Sequence, residues 1–181
     1  MCAVAPREPL RILVVCEGNL CRSPLAERLL QDRLGSSAVV RSAGVRGADA
    51  AEMDPYAAAE LVRRGGDPAG FRSRDLDPAD VREADLVLTM TTAQRSHVLA
   101  EEPTALSRTF TLRELAHLLA DAPAGELDPG LIAELAQGRS AATLERYDIA
   151  DPIGQSAAVH TAVADEIDEA VAVIAQHLGA S

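Results

Sequence analysis

A β-branched apolar run, Arg11-Ile12-Leu13-Val14-Val15, leads straight into Cys16-Glu17-Gly18-Asn19-Leu20-Cys21-Arg22, and Ser23-Pro24 follows. The run reads as a buried parallel strand. Ser23 as cap with Pro24 at the first helical position reads as a helix start. Cys16 and Arg22 thus bound a seven-residue link from strand to helix, in the pattern C-x5-R. Successive backbone N–H groups in such a link can point inward and form a nest for a tetrahedral dianion. Gly18 is expected to supply backbone angles that other residues resist. The residues from Glu17 and Gly18 through Asn19, Leu20 and Cys21 are the expected binding surface. Arg22 can offer two parallel N–H bonds to phosphate oxygens. Cys16 lies at the base, where the nest, the helix dipole and Arg22 stabilise a negatively charged sulfur. Ser23 can donate its hydroxyl to that sulfur. The plainer reading of the pattern is a buried Cys at a strand end and a surface Arg.

The rest of the chain alternates strands with helices. Ala26, Leu29, Leu30 and Leu34 carry the first helix to a stop at Gly35. Ala38 to Ser42 reads as a second strand, and residues 43–55 as a loop. Tyr56 to Arg64 reads as a helix ending at Gly65-Gly66. Residues 66–80, rich in Gly, Pro, Asp and Arg, read as a surface loop. Ala84 to Met90 reads as a third strand, Thr92 to Ala100 as a helix, Ser107 to Phe110 as a fourth strand and Leu112 to Leu119 as a helix. A loop over 121–130 precedes a helix from Leu131 to Gln137. Tyr147 to Gly154 is a loop, and Val159, Val163, Ile167, Val171, Ile174 and Leu178 mark a long amphipathic last helix. The expected fold is α/β: one domain over residues 10–181 behind a tail at 1–9, with a parallel sheet flanked by helices on both faces. Ligands of such sheets sit at the carboxyl ends of the strands, which places the expected chemistry in the loop after the first strand.

Composition removes several alternatives. The chain has no Lys; all 17 basic residues are Arg. A Walker-type phosphate loop and a pyridoxal Schiff base both need a Lys. The 28 acidic residues give a net charge of −11, which disfavours nucleic acid as a partner. No apolar run approaches the roughly 18–20 residues of a membrane span. Met1 to Pro9 lacks the basic start and apolar stretch of a signal peptide, so a cytoplasmic protein is expected. Cys16 and Cys21 are spaced C-x4-C with no second ligand pair, which is not a zinc pattern. No metal or cofactor is expected.

The segment from Val15 to Glu27 closely resembles the phosphate loop of low-molecular-weight protein tyrosine phosphatases. Ser42-Ala43-Gly44, Arg72-Ser73-Arg74, Asp85 to Met90 and the Asp-Pro before the last helix fall where that family has comparable segments. The resemblance covers nearly the whole chain from about residue 10. It implies a four-stranded parallel sheet and hydrolysis of phosphomonoesters through a phosphocysteine. A phosphorylated protein or a small aryl phosphate is the expected substrate, and the oligomeric state stays open with a monomer favoured. Cys16, Arg22 and Ser23 would carry the chemistry. Asn19 and Ser42 would hold the loop's shape, although Ser42 also reads as a plain strand-end turn residue. The family places a network His where this chain has Phe71.

Expulsion of the leaving group needs a proton donor, usually a carboxylic acid on a mobile loop. Asp-Pro occurs at Asp54, Asp67, Asp77, Asp128 and Asp151. The resemblance favours Asp151, with Asp148 and Asp128 as rivals and an Asx-turn as the plainer role. Cys21 is either a partner that traps oxidised Cys16 as a disulfide or a small buried side chain. Cys2 is expected to be inert. His97, His117, His160 and His177 read as surface or cap residues. The loops expected beside the site, Gly44 to Met53 and Pro152-Ile153-Gly154, hold no aromatic. Tyr56 or Tyr147 remains available to wall the site. Two other functions stay open: an arsenate reductase using a small-molecule thiol, and a phosphate-binding module without turnover.

Overall fold

The computed structural model describes residues 8–120, 122, 128–141 and 143–178. Cys2, residues 1–7 of the tail and most of the 121–130 loop lie outside the described residues. Four strands, β1 (Leu10–Cys16), β2 (Ala38–Gly44), β3 (Leu86–Thr89) and β4 (Thr109–Thr111), form one parallel sheet in the order β2-β1-β3-β4. Among the described residues, seven α-helices join and cover them: α1 (Arg22–Leu34), α2 (Pro55–Arg63), α3 (Pro78–Glu83), α4 (Thr92–Glu101), α5 (Leu112–Ala120), α6 (Pro129–Gly138) and α7 (Ala157–Leu178).

The unbroken apolar run of β1 follows from its central place in the sheet. Alternate side chains go to opposite faces. Ile12 and Val14 join a large core with Leu29, Leu30, Leu86, Leu88, Ile167 and Val171. Leu13 and Val15 join a smaller one with Ala43, Val87 and Val98. α7 packs against α1, α2 and α5, and its long apolar stripe seals the larger face. Cutting Ile167 back to Ala there should cost about 2–5 kcal/mol.

Register sets the site. Cys16 pairs with Gly44 and Val15 with both Ala43 and Thr89, so the carboxyl ends of β1, β2 and β3 lie side by side. The chain leaves β1 for β2 on one side and reaches β3 on the other. This is the point where the strand order reverses, and where an open α/β sheet leaves a crevice.

Three sequence expectations need correction. Residues 78–83 form a helix, not loop. Asp77 caps it by accepting from Ala79 N, Asp80 completes a capping box, and Pro78 stands at its start. The turn-forming composition masked a helix too short for periodicity to reveal. The fourth strand is shifted to Thr109–Thr111, because residues 103–108 wind into a 3₁₀ segment in which Ala105 N donates to Glu102 O. Ser23 does not cap α1. The helix already begins at Arg22 with Cys21 at its cap position, and the Ser23 hydroxyl is used elsewhere.

Candidate active site

The backbone of the loop after β1 is fixed from outside. Val45 N donates to Cys16 O at 3.0 Å, Arg46 N to Glu17 O at 2.9 Å, Ala48 N to Gly18 O at 3.2 Å and Asp54 N to Leu20 O at 2.9 Å. Leu25 N takes Cys21 O at 3.2 Å. In a trans peptide the N–H points opposite to the carbonyl. With these five carbonyls held outward, the N–H groups of residues 17, 18, 19, 21 and 22 face the inside of the loop. That is an anion nest, placed at the start of α1 where the helix dipole also favours negative charge.

The turn within the loop is made by Asn19, not by Gly18. Asn19 has φ +53, a left-handed conformation that Asn tolerates better than most residues. A side chain at position 18 would meet only Leu20, at 3.7 Å. The glycine that the loop requires is Gly44, at the end of β2. A Cβ there would lie 2.6 Å from Glu17 O and 2.9 Å from Asn19 N.

Behind the loop, buried side chains form a continuous chain of hydrogen bonds. Asn19 Nδ2 donates to Ser23 Oγ at 2.9 Å and to Ser42 Oγ at 2.8 Å, and Asn19 Oδ1 accepts from Arg74 N at 3.0 Å. Ser23 Oγ is 2.9 Å from Cys16 Sγ. Because Ser23 Oγ accepts from Asn19, its own proton goes either to the sulfur or to Ala43 O at 3.5 Å, and the sulfur is the nearer acceptor. Ser42 Oγ donates to Glu27 Oε2. Burial pushes the Glu27 carboxyl above its usual range, against the Ser42 hydrogen bond and the charges of Arg28 and Arg74. Phe71 is a buried core residue. Asn19 uses both donors and its acceptor without an imidazole at that position. Glu27 and Gly44 were missed from sequence as parts of this network. The signal for Glu27 was a carboxylate four residues after Ser23, on the same helix face as Leu30 and Leu34.

Arg22 is only 3% exposed. Its Nη1 donates to Ile149 O at 2.9 Å and its Nη2 lies 2.6 Å from Asp151 Oδ2. Its Nε is buried with no hydrogen-bond partner among the described residues. Ile149 is held in turn by its N–H to Met90 O at 2.9 Å, which fixes the segment before α7 at the end of β3. Asp151 is 40% exposed, and its Oδ1 accepts from Ile153 N at 3.3 Å, so it also makes the local turn of the plainer reading. The rival carboxylates are engaged elsewhere. Asp148 Oδ1 accepts from Thr92 N at 2.7 Å at the start of α4, and Asp128 caps α6 through Leu131 N.

The outer wall is sparse. Glu17 at the rim lies 3.4 Å from the exposed Arg46. Ile153 is 45% exposed just past Asp151. Tyr56 is 50% exposed in the first turn of α2, with its ring centroid 5.1 Å from that of His160. His160 overturns the surface-or-cap expectation. It is 3% exposed, on the face of α7 that packs against α2 and the loop. Cys21 is buried and, like Cys16, a free thiol. Burial first, then the carboxylates of Asp54 and Asp151, holds its proton far more tightly than usual.

Comparison with known proteins extends this picture. The family model described as low molecular weight phosphotyrosine protein phosphatase matches residues 11–129. A protein-arginine-phosphatase of Geobacillus stearothermophilus is 31% identical over 170 residues, which is 94% of this chain and 97% of the relative. A probable low molecular weight protein-tyrosine-phosphatase, EpsP of Ralstonia solanacearum, is 37% identical over 62% of this chain and 77% of its own length. Among solved structures, the YwlE arginine phosphatase from Geobacillus stearothermophilus superposes with a TM-score of 0.75 at 31% identity, covering 94% of each chain. The tyrosine phosphatase Wzb from Escherichia coli K30, in complex with sulphate, gives 0.72 at 27% identity, covering 93% of this chain and 98% of that one.

Proposed function

The chain belongs to the low molecular weight phosphotyrosine protein phosphatase family, and we propose that it dephosphorylates phosphoproteins through a phosphocysteine on Cys16. The observation that carries this reading is the convergence on one loop of Cys16 Sγ, the Ser23 hydroxyl at 2.9 Å, and an Arg22 whose Nη2 holds Asp151 at 2.6 Å.

The substrate's phosphate occupies the nest. Its oxygens accept from the inward N–H groups and from Arg22, whose partnerless Nε supplies a ready donor. Competition for Nη2 frees Asp151 to face the leaving group. Cys16 Sγ attacks phosphorus as the bond to the leaving oxygen breaks, and Asp151 gives that oxygen its proton. A water then attacks the phosphocysteine, Asp151 takes its proton, and the sulfur leaves as a thiolate that accepts from Ser23. Inorganic phosphate is the second product. Asn19 and Ser42 act by holding Ser23 and the loop in place.

Leu20 in the loop and Ile153 beside the acid are apolar, which suits an aryl leaving group. Phosphotyrosine and small aryl phosphates are therefore the favoured substrates. With no aromatic in the two bordering loops, turnover of phosphotyrosine peptides is expected to be modest. Phosphoarginine is the second reading, favoured by the full-length match to an arginine phosphatase. Parallel kcat/KM measurements on a phosphotyrosine peptide, phenyl phosphate and a phosphoarginine protein test the reading. Preference for the aryl esters supports it. Hydrolysis of phosphoarginine alone transfers the assignment to the second reading, and no hydrolysis of any of them removes both.

A further inference from the structure

On the outer side of the phosphate loop three side chains with metal-ligating atoms converge. Cys21 closes the loop, Asp54 caps α2 and His160 lies in the first turn of α7, and one ligand atom from each is within 4.8 Å of the others. The elements are tied together here, because Asp54 N donates to Leu20 O. His160 Nδ1 is 3.7 Å from Asp54 Oδ1, outside hydrogen-bond range. His160 Nε2 is buried without a hydrogen-bond partner among the described residues. Leaving such an atom unpaired costs about 1–3 kcal/mol. Cys21 and His160 also line a small cavity with room for about one water-sized atom. Arg22 lines it as well, beside the apolar Leu25, Ala57, Pro152 and Val163, and Asp54 stands outside its lining.

We propose that Cys21, Asp54 and His160 form a binding site for a zinc ion beside the phosphate loop. A thiolate, an imidazole and a carboxylate match the N, S and O ligands that tetrahedral zinc prefers, with a water in the fourth position. Magnesium and calcium are excluded by their demand for six or more oxygens. Ligand atoms roughly 2.0–2.3 Å from a tetrahedral zinc stand roughly 3.3–3.8 Å apart, so the three groups need to close by about an ångström. The bonds from Tyr56 N and Ala57 N both fall on Asp54 Oδ1, so Oδ2 is the oxygen left to ligate, and bringing it to the metal takes a turn of the carboxylate. Binding is not a redox step. Cys21 loses one proton to solvent as its sulfur bonds to the metal, and no other bond is made or broken. The bound ion would clamp the loop to the starts of α2 and α7 and would withdraw Cys21 from any disulfide with Cys16.

Cobalt(II) is the probe, applied to the full chain with Cys2→Ser and Cys16→Ser so that Cys21 is its only thiol. The expected result is a thiolate-to-cobalt charge-transfer band and the intense visible bands of a tetrahedral site, saturating at one metal per chain and displaced by zinc. His160→Phe fills the ring's space and keeps the contact with Tyr56; Asp54→Asn keeps the cap. Each should weaken metal binding at least tenfold, while His160→Phe with Cys16 intact retains its turnover of p-nitrophenyl phosphate without metal. Absence of the charge-transfer band overturns the proposal. Unchanged affinity in either variant that retains its native circular dichroism also overturns it, since the thiol would then be binding metal alone.

Discussion

Arg22 Nη2 stands 2.6 Å from Asp151 Oδ2, joining the start of the first helix to the loop before the last. In the reaction proposed above, this contact holds Asp151 beside the nest as the acid and shares one guanidinium between it and the incoming phosphate. Asp151→Asn should lower kcat by about 10²–10⁴-fold, the range for general acid–base catalysis. The loss should be larger for phenyl phosphate than for p-nitrophenyl phosphate, whose leaving group needs little proton help. Asp148→Asn, which keeps an acceptor for Thr92 N beside the Thr91 cap of α4, should leave kcat within a few-fold. Steady-state kinetics on the two esters check both statements.

Arg22→Lys should fail despite keeping the charge. An ammonium cannot span Ile149 O and Asp151 while also presenting a flat pair of donors to phosphate. Loss of one charge-assisted hydrogen bond, about 1.5–3 kcal/mol, corresponds to roughly a ten- to hundredfold loss in kcat/KM. Phosphate should inhibit this variant more weakly by a similar factor.

Asn19 combines a left-handed backbone with three side-chain hydrogen bonds, two buried and one part-buried. Asn19→Gly keeps the backbone and loses the bonds; Asn19→Ala loses both. Both should be destabilised by about 2–4 kcal/mol, from several partners left unpaired in the interior. The Ala variant should be worse by about 1–2 kcal/mol, the cost of a left-handed conformation for a residue with a Cβ. Urea unfolding of the pair measures the difference.

Two carboxylates give stability opposite dependences on pH. Burial raises Glu27 above its ordinary value of 4.5, so the folded chain holds that proton more tightly than the unfolded one. Its contribution is full below the unfolded value and declines as pH rises through the folded one. For Glu60, hydrogen bonds from Thr161, Arg64 and Arg63 outweigh burial and hold the carboxyl down to about 2. Its contribution is full above the unfolded value and is lost as pH falls toward 2. Glu27→Gln should therefore raise stability at neutral pH, with little change in acid, and Glu60→Gln should lower it at neutral pH and flatten the acid loss. Urea midpoints taken across the acid-to-neutral range test both signs.

Much of this site could be read from the sequence because its parts are contiguous. The spacing of Cys16 and Arg22 across a strand-to-helix link dictates the nest, and Ser23 follows directly. Asp151 came only with the family resemblance, because five Asp-Pro pairs are chemically alike until the fold shows which carboxylate reaches Arg22. The loop's left-handed residue was misassigned to Gly18, since the hydrogen bonds that hold Asn19 in that conformation come from Ser42 and Arg74, far along the chain. Glu27 and His160 were passed over for the same reason. Each is a polar group on an apolar helix face whose burial depends on elements that only the folded chain brings near.

The central claim is that phosphate passes through Cys16. The most direct test mixes the wild-type chain with p-nitrophenyl phosphate, quenches in acid during turnover and locates the bound phosphoryl group by peptide mass spectrometry. One phosphoryl group is expected, on the peptide containing Cys16, together with a Cys16→Ser variant that binds phosphate but releases no p-nitrophenol at a measurable rate. A phosphoryl group on another residue, or near-normal turnover by Cys16→Ser, would contradict it.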